Sequence, residues 1–259
     1  MIYNLPVVVL DLHGVLVNTA LIKENYELFL VEQYQRFRVP KELAQKFHEK
    51  GLKQFTDTML EIGKDRLIDG DFLSAMAVVD EDWNRLMRQP VEIDGSGRSQ
   101  LEKVIESRAV EKGAGRIRNA LFPDAQAFLR SWKEQKDHWH LVIASNSHGA
   151  HISGVIEGFS QQLAKKIPII GWERIKCLKS HPSYFQRLRT ILAESFPDER
   201  LFMIGNSTEE MVGANLKDII PILILRDRNV SSEALKVARK VFPSLDGVWT
   251  FIKQETYSR

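Results

Sequence analysis

The sequence has one cysteine, Cys177, no long apolar run and almost no excess of either charge, with 36 basic against 34 acidic residues among 259. A single cysteine excludes an intramolecular disulfide and a zinc site built on several thiolates, and it favours a reducing compartment. No segment approaches the ~20 apolar residues that a transmembrane helix needs. The first twelve residues carry no Lys or Arg, unlike a signal peptide. We therefore expect a cytoplasmic protein that does not enter a membrane.

The basic residues are scattered along the chain in short pairs, such as Lys165 with Lys166 and Arg239 with Lys240. A surface that binds nucleic acid usually concentrates them on one face, so we expect no nucleic-acid partner. Apolar residues make up 44% of the chain and charged residues 27%, which is ordinary for a globular protein. The length is sufficient for one large or two modest domains. Nothing in the sequence indicates a protein partner.

Short apolar segments predict five β-strands, over residues 7–10, 141–144, 167–170, 201–204 and 221–225. They are rich in Val and Ile, and most lack alternation with polar residues, which is typical of parallel strands covered on both faces. Two helices with one apolar face each are predicted among the later strands, the first through Tyr184, Leu188, Ile191 and Leu192, the second through Ala234, Val237, Ala238 and Val241. This alternation predicts an α/β fold with a Rossmann-like parallel sheet.

Residues 19–115 predict a separate, all-helical subdomain. Helical periodicity covers segments 22–36, 41–49, 55–61, 72–87 and 101–112. An insert of ~100 residues is too long for a loop, so we expect a helical cap over 19–115 and an α/β core formed by 1–18 and 116–259. The Gly- and Ser-containing segment 92–99 has the composition of a phosphate-binding loop. It lacks the preceding strand that such loops need, and we interpret it as a connection between helices.

Four segments place reactive side chains directly after a predicted strand or before a predicted helix. Asp11 follows the first strand, and Ser145 and Asn146 follow the second. Lys179 precedes the helix that starts near residue 184, and Asn206 follows the strand over 201–204. Because the carboxyl ends of parallel strands form the ligand-binding edge of an open α/β sheet, we expect these side chains to lie close together.

Each segment also has a purely structural interpretation. Ser145 and its neighbours would serve as a turn or a helix cap, and a lysine before a helix is usually solvated. Ser207 or Thr208 would cap a helix whose positive end is favoured by Glu209 and Glu210. These alternatives stay open for each segment alone, whereas the order of the four along the chain favours a common site.

The first and last of these segments resemble motifs of the haloacid dehalogenase-like superfamily. Motif I of that family usually reads Asp-x-Asp-Gly-(Thr/Val)-Leu; Asp11 matches it, and His13 stands where most of its phosphatases have a second aspartate. Motif IV usually reads Gly-Asp-Ser-x-x-Asp; Asn206 and Glu210 stand at its two acidic positions. Glu209 is an adjacent alternative to Glu210.

The middle segments resemble the same family. Ser145 matches the strand-end Ser or Thr of motif II. Lys179, Pro182 and Phe185 fall on the spacing Lys-Pro-x-Pro-x-x-(Phe/Tyr), from which Ser180 departs. A helical insert after the first strand matches the cap of many family members, and residues 122–129 resemble the segment that returns from the cap to the core.

The resemblance implies a hydrolase, most simply a phosphatase for a small phosphorylated metabolite. Asp11 would form an aspartyl phosphate, and His13 would act as acid and base, because an imidazole titrates near neutral pH. In this interpretation the phosphoryl group is bound by Ser145, Asn146 and Lys179, and Mg²⁺ is held weakly by Asp11, Asn206 and Glu210.

Other functions remain open. Three acidic positions of the family pattern are altered, two of them to non-acidic residues, so a catalytically impaired binding or regulatory protein is an alternative. Metal-independent dehalogenases of the family carry tyrosine at the positions of His13 and Phe185. They also use an arginine that has no secure counterpart here, although Arg36 and Arg38 lie in the predicted cap. Phosphonatases use a cap lysine, for which Lys53 is a loose match.

Overall fold

The computed structural model describes residues 5–36, 120–226 and 230–257, together with isolated positions between residues 40 and 113. The first predicted cap helix is present as α1 (Thr19–Arg36). The other cap predictions lie outside the described residues, apart from isolated positions of segment 41–49: the helices over 55–61, 72–87 and 101–112, the loop over 92–99, Arg38 and Lys53. The cap therefore stays a prediction beyond α1.

The described residues form a parallel sheet of six strands in the order β3-β2-β1-β4-β5-β6. The central strand β1 lies between β2 and β4, and Val7 pairs with His140 on one side and Leu201 on the other. The predicted Rossmann-like parallel sheet is thus confirmed. The strands are β1 (Val7–Leu10), β2 (His140–Ala144), β3 (Ile169–Ile170), β4 (Leu201–Gly205), β5 (Ile220–Ile224) and β6 (Lys240–Phe242).

Helices connect the strands, and their ends follow ordinary capping chemistry. Pro123 occupies the first turn of its helix, and the hydroxyls of Ser160, Ser207 and Ser231 accept hydrogen bonds from backbone N–H groups at helix starts. No helix in the described ranges combines the length and the apolar character needed to cross a bilayer. After α1 come α2 (Pro123–Glu134), α3 (Gly149–Phe159), α4 (Gln161–Ala164), α5 (Trp172–Ile175), α6 (Tyr184–Ala193), α7 (Thr208–Asn215), α8 (Ser232–Val237) and α9 (Val248–Tyr257).

Both faces of the sheet are covered, which explains the lack of alternation in the strand sequences. Val8 and Leu10 pack with side chains of α2, α3 and α9, whereas Val7 and Val9 pack on the opposite face with α6 and α7. All four side chains of β1 are fully buried. Each contributes about 1.5–3 kcal/mol relative to its exposed state, so the strand that carries Asp11 is held from both sides.

The predicted helix through Val241 is wrong at its C-terminal end. Helix α8 ends at Val237, Ala238 adopts an extended conformation, and Val241 lies in β6. The cause is tertiary, because Lys240 pairs with Ile222 of β5 and completes the edge of the sheet. A strand of three residues is too short for its own apolar pattern to reveal it.

We predict that the thiol of Cys177 is unreactive in the folded protein. Its side chain is fully buried, and burial raises its pKa to about 11, although the charge of Arg187 works in the opposite direction. A chromogenic disulfide reagent at pH 8 should react on the order of 100-fold more slowly in buffer than in guanidinium, with Cys177→Ser as the blank. Rapid stoichiometric labelling of the native protein would contradict this burial.

Candidate active site

Asp11 lies at the carboxyl end of the central strand β1. It is buried, and its backbone N–H donates to the carbonyl of Ile204 in the neighbouring strand (2.9 Å). A tight turn follows, in which the N–H groups of Leu16 and Val17 both donate to the carbonyl of Leu12. Gly14 has φ +79°, a conformation that costs glycine little and other residues considerably more. The turn therefore ends the strand sharply and leaves the carboxylate at the edge of the sheet.

Ser145 and Asn206 lie beside Asp11 because they end the two strands that flank β1. Ser145 follows β2, and Asn206 follows β4. The sheet reverses its strand order around β1, and such switch points are where open α/β sheets bind ligands. Both residues are buried, so they form the floor of this edge rather than its surface.

Lys179 joins the site from the segment between β3 and α6. Its ammonium contacts Oδ1 of Asp11 and lies 2.5 Å from Oε1 of Glu210. The side chains of all three residues are at most 8% exposed. Three ionisable groups from distant parts of the chain thus meet away from water, where a charge without a partner is costly.

The charges of the two carboxylates keep Lys179 protonated. Burial by itself would lower the pKa of Lys179, but Asp11 and Glu210 outweigh burial and hold that pKa above its ordinary value. Burial and the neighbouring Asp11 carboxylate raise the pKa of Glu210, against the opposing effect of Lys179. With both acids ionised the group carries a net charge of about −1.

Glu210 serves the helix and the site with different oxygens. Its Oε2 accepts hydrogen bonds from the backbone N–H groups of Asn206 (2.7 Å) and Ser207 (3.0 Å), and Ser207 completes a capping box at the start of α7. Its Oε1 faces Lys179. The neighbouring Glu209 is exposed, so Glu210 is the glutamate that reaches the site. Gly205 makes room for it, since a Cβ there would lie 2.4 Å from Oε2.

Asn146 and Ser145 shape the loop after β2. The Oδ1 atom of Asn146 accepts a hydrogen bond from the backbone N–H of Lys179 (2.8 Å), which anchors the lysine segment. The hydroxyl of Ser145 accepts from the backbone N–H of Ser147 (3.2 Å), so the predicted turn is present. That bond does not use the hydroxyl hydrogen of Ser145, which remains able to donate to a ligand oxygen. Phosphate binding by Ser145 and Asn146 stays a prediction.

His13 has two neighbours that the sequence did not indicate. Its Nε2 lies 3.0 Å from Oγ of Ser147, a hydrogen bond in which either atom can donate. Its ring also stacks on that of His151, with centres 5.7 Å apart. His148 caps α3, and the first turn of that helix brings His151 to the sheet edge beside His13.

The predicted magnesium ligands already make other contacts in the structure. The Nδ2 atom of Asn206 donates to the carbonyl of His13 (3.0 Å), and both oxygens of Glu210 already accept hydrogen bonds. Magnesium prefers about six oxygen ligands, carboxylates among them. Among the described residues no group of three His, Cys, Asp or Glu side chains could hold a metal. A site at Asp11, Asn206 and Glu210 stays a prediction that this geometry does not favour.

Comparisons with known proteins identify the fold. No protein-family model and no curated protein matches the sequence. Among solved structures, an L-2-haloacid dehalogenase from Xanthobacter autotrophicus shares 14% identity at a TM-score of 0.55, over 96% of this chain and 98% of its own. The HAD-hydrolase YfnB from Bacillus subtilis, solved with magnesium bound, shares 12% identity at 0.57, over 96% and 99%. A defluorinating L-2-haloacid dehalogenase shares 14% at 0.58, over 96% and 95%.

These identities are too low to transfer an activity, but the likeness extends over nearly the whole chain. The resemblance predicted from the motifs is confirmed at the level of the fold. The chain has the haloacid dehalogenase-like fold.

Proposed function

We propose that the protein is a hydrolase that uses the Asp11 carboxylate as its nucleophile and acts on a small phosphate monoester. The observation that carries this proposal is the contact of the Lys179 ammonium with Asp11 at the carboxyl end of the central strand. The contact fixes one carboxylate oxygen, and the ammonium offers a positive charge to an incoming anionic group. A carboxylate held in this way is pre-organised to attack a bound electrophile.

The reaction would run in two steps that these residues can support. Asp11 attacks phosphorus, the bond from phosphorus to the ester oxygen breaks, and His13 gives that oxygen a proton. Water then attacks the phosphorus of the aspartyl phosphate while His13 takes its proton, and inorganic phosphate leaves with Asp11 restored. The hydroxyl of Ser145 is suited to bind a phosphoryl oxygen during both steps.

His13 favours an ester over a substrate that needs no acid. An alcohol leaving group has to be protonated, and a halide does not, so an imidazole two residues after the nucleophile has a task only in the first case. A protonated His13 together with Lys179 also balances the carboxylates of Asp11 and Glu210. The site then presents no net repulsion to a phosphate dianion.

A second candidate is metal-independent hydrolysis of a carbon–halogen bond. The observation that favours it is that the ammonium of Lys179, rather than an open oxygen-lined site, lies between the two carboxylates. A monoanionic halogenated acid needs less positive charge than a phosphate does. Two of the structural neighbours described above are dehalogenases of such acids.

We predict that Asp11→Asn abolishes turnover, because an amide is not a nucleophile for this chemistry. Loss of the attacking group should lower kcat on the order of 10³-fold or more. The measurement is phosphate release from a panel of monoesters, and halide release from 2-haloacids, each with magnesium, with manganese and with a chelator. Asp137→Asn, at an exposed aspartate, is the matched control and should retain full activity.

The panel separates the candidates. Phosphate release that Asp11→Asn abolishes supports the first proposal, and halide release in the presence of chelator supports the second. A parent protein as inactive as Asp11→Asn, with activity gained in the double variant His13→Asp, Asn206→Asp, would show a binding protein that has lost its chemistry. A requirement for millimolar magnesium would support a weak cation site at Asp11, Asn206 and Glu210.

We also predict that Lys179→Met destabilises the fold as well as the reaction. The substitution leaves Asp11 and Glu210 buried and facing each other without a counter-charge, which typically costs about 3–5 kcal/mol. Urea unfolding should show this loss in Lys179→Met, whereas Lys133→Met, at a lysine with an exposed bond to Gln162, should change the free energy of unfolding by less than about 0.5 kcal/mol. Equal stability of the two variants would mean that the carboxylates do not depend on the ammonium. Adding Glu210→Gln to Lys179→Met should recover part of the loss.

A further inference from the structure

The turn after Asp11 is continuous with a two-stranded stem at which the chain leaves and re-enters the core. Val17 pairs antiparallel with Leu121. The N–H of Asn18 donates to the carbonyl of Ala120, and the N–H of Phe122 donates to that of Leu16, both at 2.9 Å. The segment between residues 19 and 119 is therefore connected to the core through the same residues that end the nucleophile turn.

Arg226, which follows β5, ties this stem to the sheet edge. Its Nη2 donates to the carbonyl of Val15 (3.0 Å) and to Oδ2 of Asp124 (2.6 Å). Its guanidinium carbon lies 3.8 Å from the centre of the Phe122 ring, within the range of a cation–π interaction. One planar group thus contacts the turn, the returning strand and the start of α2 at once, which a flexible ammonium would not reproduce.

Asp124 is itself held in place by a second hydrogen bond, so its ion pair with Arg226 has a fixed position. Its Oδ2 also accepts from the backbone N–H of Leu245 (2.7 Å). Burial works to raise the pKa of Asp124, but the hydrogen bonds from Arg226 and Leu245 and the charge of Arg226 outweigh burial and hold that pKa below its ordinary value. The side chains are 18% exposed for Arg226 and 10% for Asp124, so solvent screens this ion pair far less than one on the surface.

We propose that Arg226 is a positioning residue for the reaction. By holding the carbonyl of Val15, it fixes the turn over residues 12–17, which begins beside Asp11 and carries His13. The side-chain contacts of Arg226 are with Val15, Asp124 and Phe122, so its effect passes through the backbone of the turn. This inference rests on the proposed function, in which Asp11 and His13 must act on the same phosphate ester group.

The size of the effect follows from the geometry of catalysis. A displacement of ~1 Å at a reacting group can cost as much as ~10²-fold in rate. The bonds within the turn involve Gly14, Leu16 and Val17 with one another and with Leu12, so they preserve its shape but do not set its place relative to β5. The bond from Arg226 to the carbonyl of Val15 joins the turn to the end of β5, as the bond from Asn206 to the carbonyl of His13 joins it to the end of β4. Loss of the bond from Arg226 should lower kcat while leaving KM nearly unchanged, because the phosphate-binding groups lie on other segments.

The experiment compares Arg226→Met with Arg200→Met in the full chain. Arg200 has the same kinds of contact, an ion pair with Glu255 (3.4 Å) and a ring contact with Phe202 (5.7 Å), but it precedes β4 at the opposite edge of the sheet. We expect Arg226→Met to lower kcat by about 10- to 100-fold with KM within about twofold. Arg200→Met should lower the unfolding temperature and leave kcat within about twofold.

Hydrogen exchange tests the same inference without any substrate. The amides of Gly14, Leu16 and Val17 should exchange about 10-fold faster in Arg226→Met than in the parent or in Arg200→Met. If Arg226→Met does not fold, Arg226→Lys retains the positive charge beside Asp124 but loses the planar stack, and the same changes are expected. A folded Arg226 variant with unchanged kcat and unchanged exchange overturns the inference. A parent protein without turnover overturns the proposed function instead. In that case hydrogen exchange still tests the role of Arg226, and equal exchange in the parent and in Arg226→Met overturns it.

Discussion

A buried ammonium between two buried carboxylates is the interaction on which the arrangement of this sheet edge depends. Lys179 meets Asp11 and Glu210 across separations of 168 and 31 residues along the chain. Without the cation, two like charges would face each other in a region from which water is excluded. Keeping both carboxylates ionised would then cost free energy. The same contact holds the lysine segment, the end of β1 and the start of α7 next to one another. In the proposed mechanism, stability and chemistry therefore depend on the same group.

Several backbone features support that interaction. The carboxylate of Glu210 divides its oxygens between the helix start and the ammonium, so its segment caps α7 and also reaches the ion group. Asn146 holds the backbone of Lys179, and Asn206 holds the carbonyl of His13. These two amides fix the backbone on both sides of the ion group.

The site is connected to the rest of the chain through the stem at residues 14–18 and 120–122. Arg226 and Asp124 extend that connection to β5, α2 and the segment before α9. The residues that follow the central strand therefore also form the point at which the chain leaves the core after Asn18 and returns to it at Ala120.

The sequence by itself determined the parts that depend on local burial. Strands covered on both faces must be apolar throughout, so β1, β2, β4 and β5 could be placed from composition, and the carboxyl ends of these strands located Asp11, Ser145 and Asn206. Only the tertiary structure decided which groups bond to one another. It placed Val241 in an edge strand, paired Ser147 with His13, and brought Glu210 into contact with Lys179 as well as with the start of α7. Such contacts join residues that are far apart in the chain, and no local sequence pattern records the distance between them.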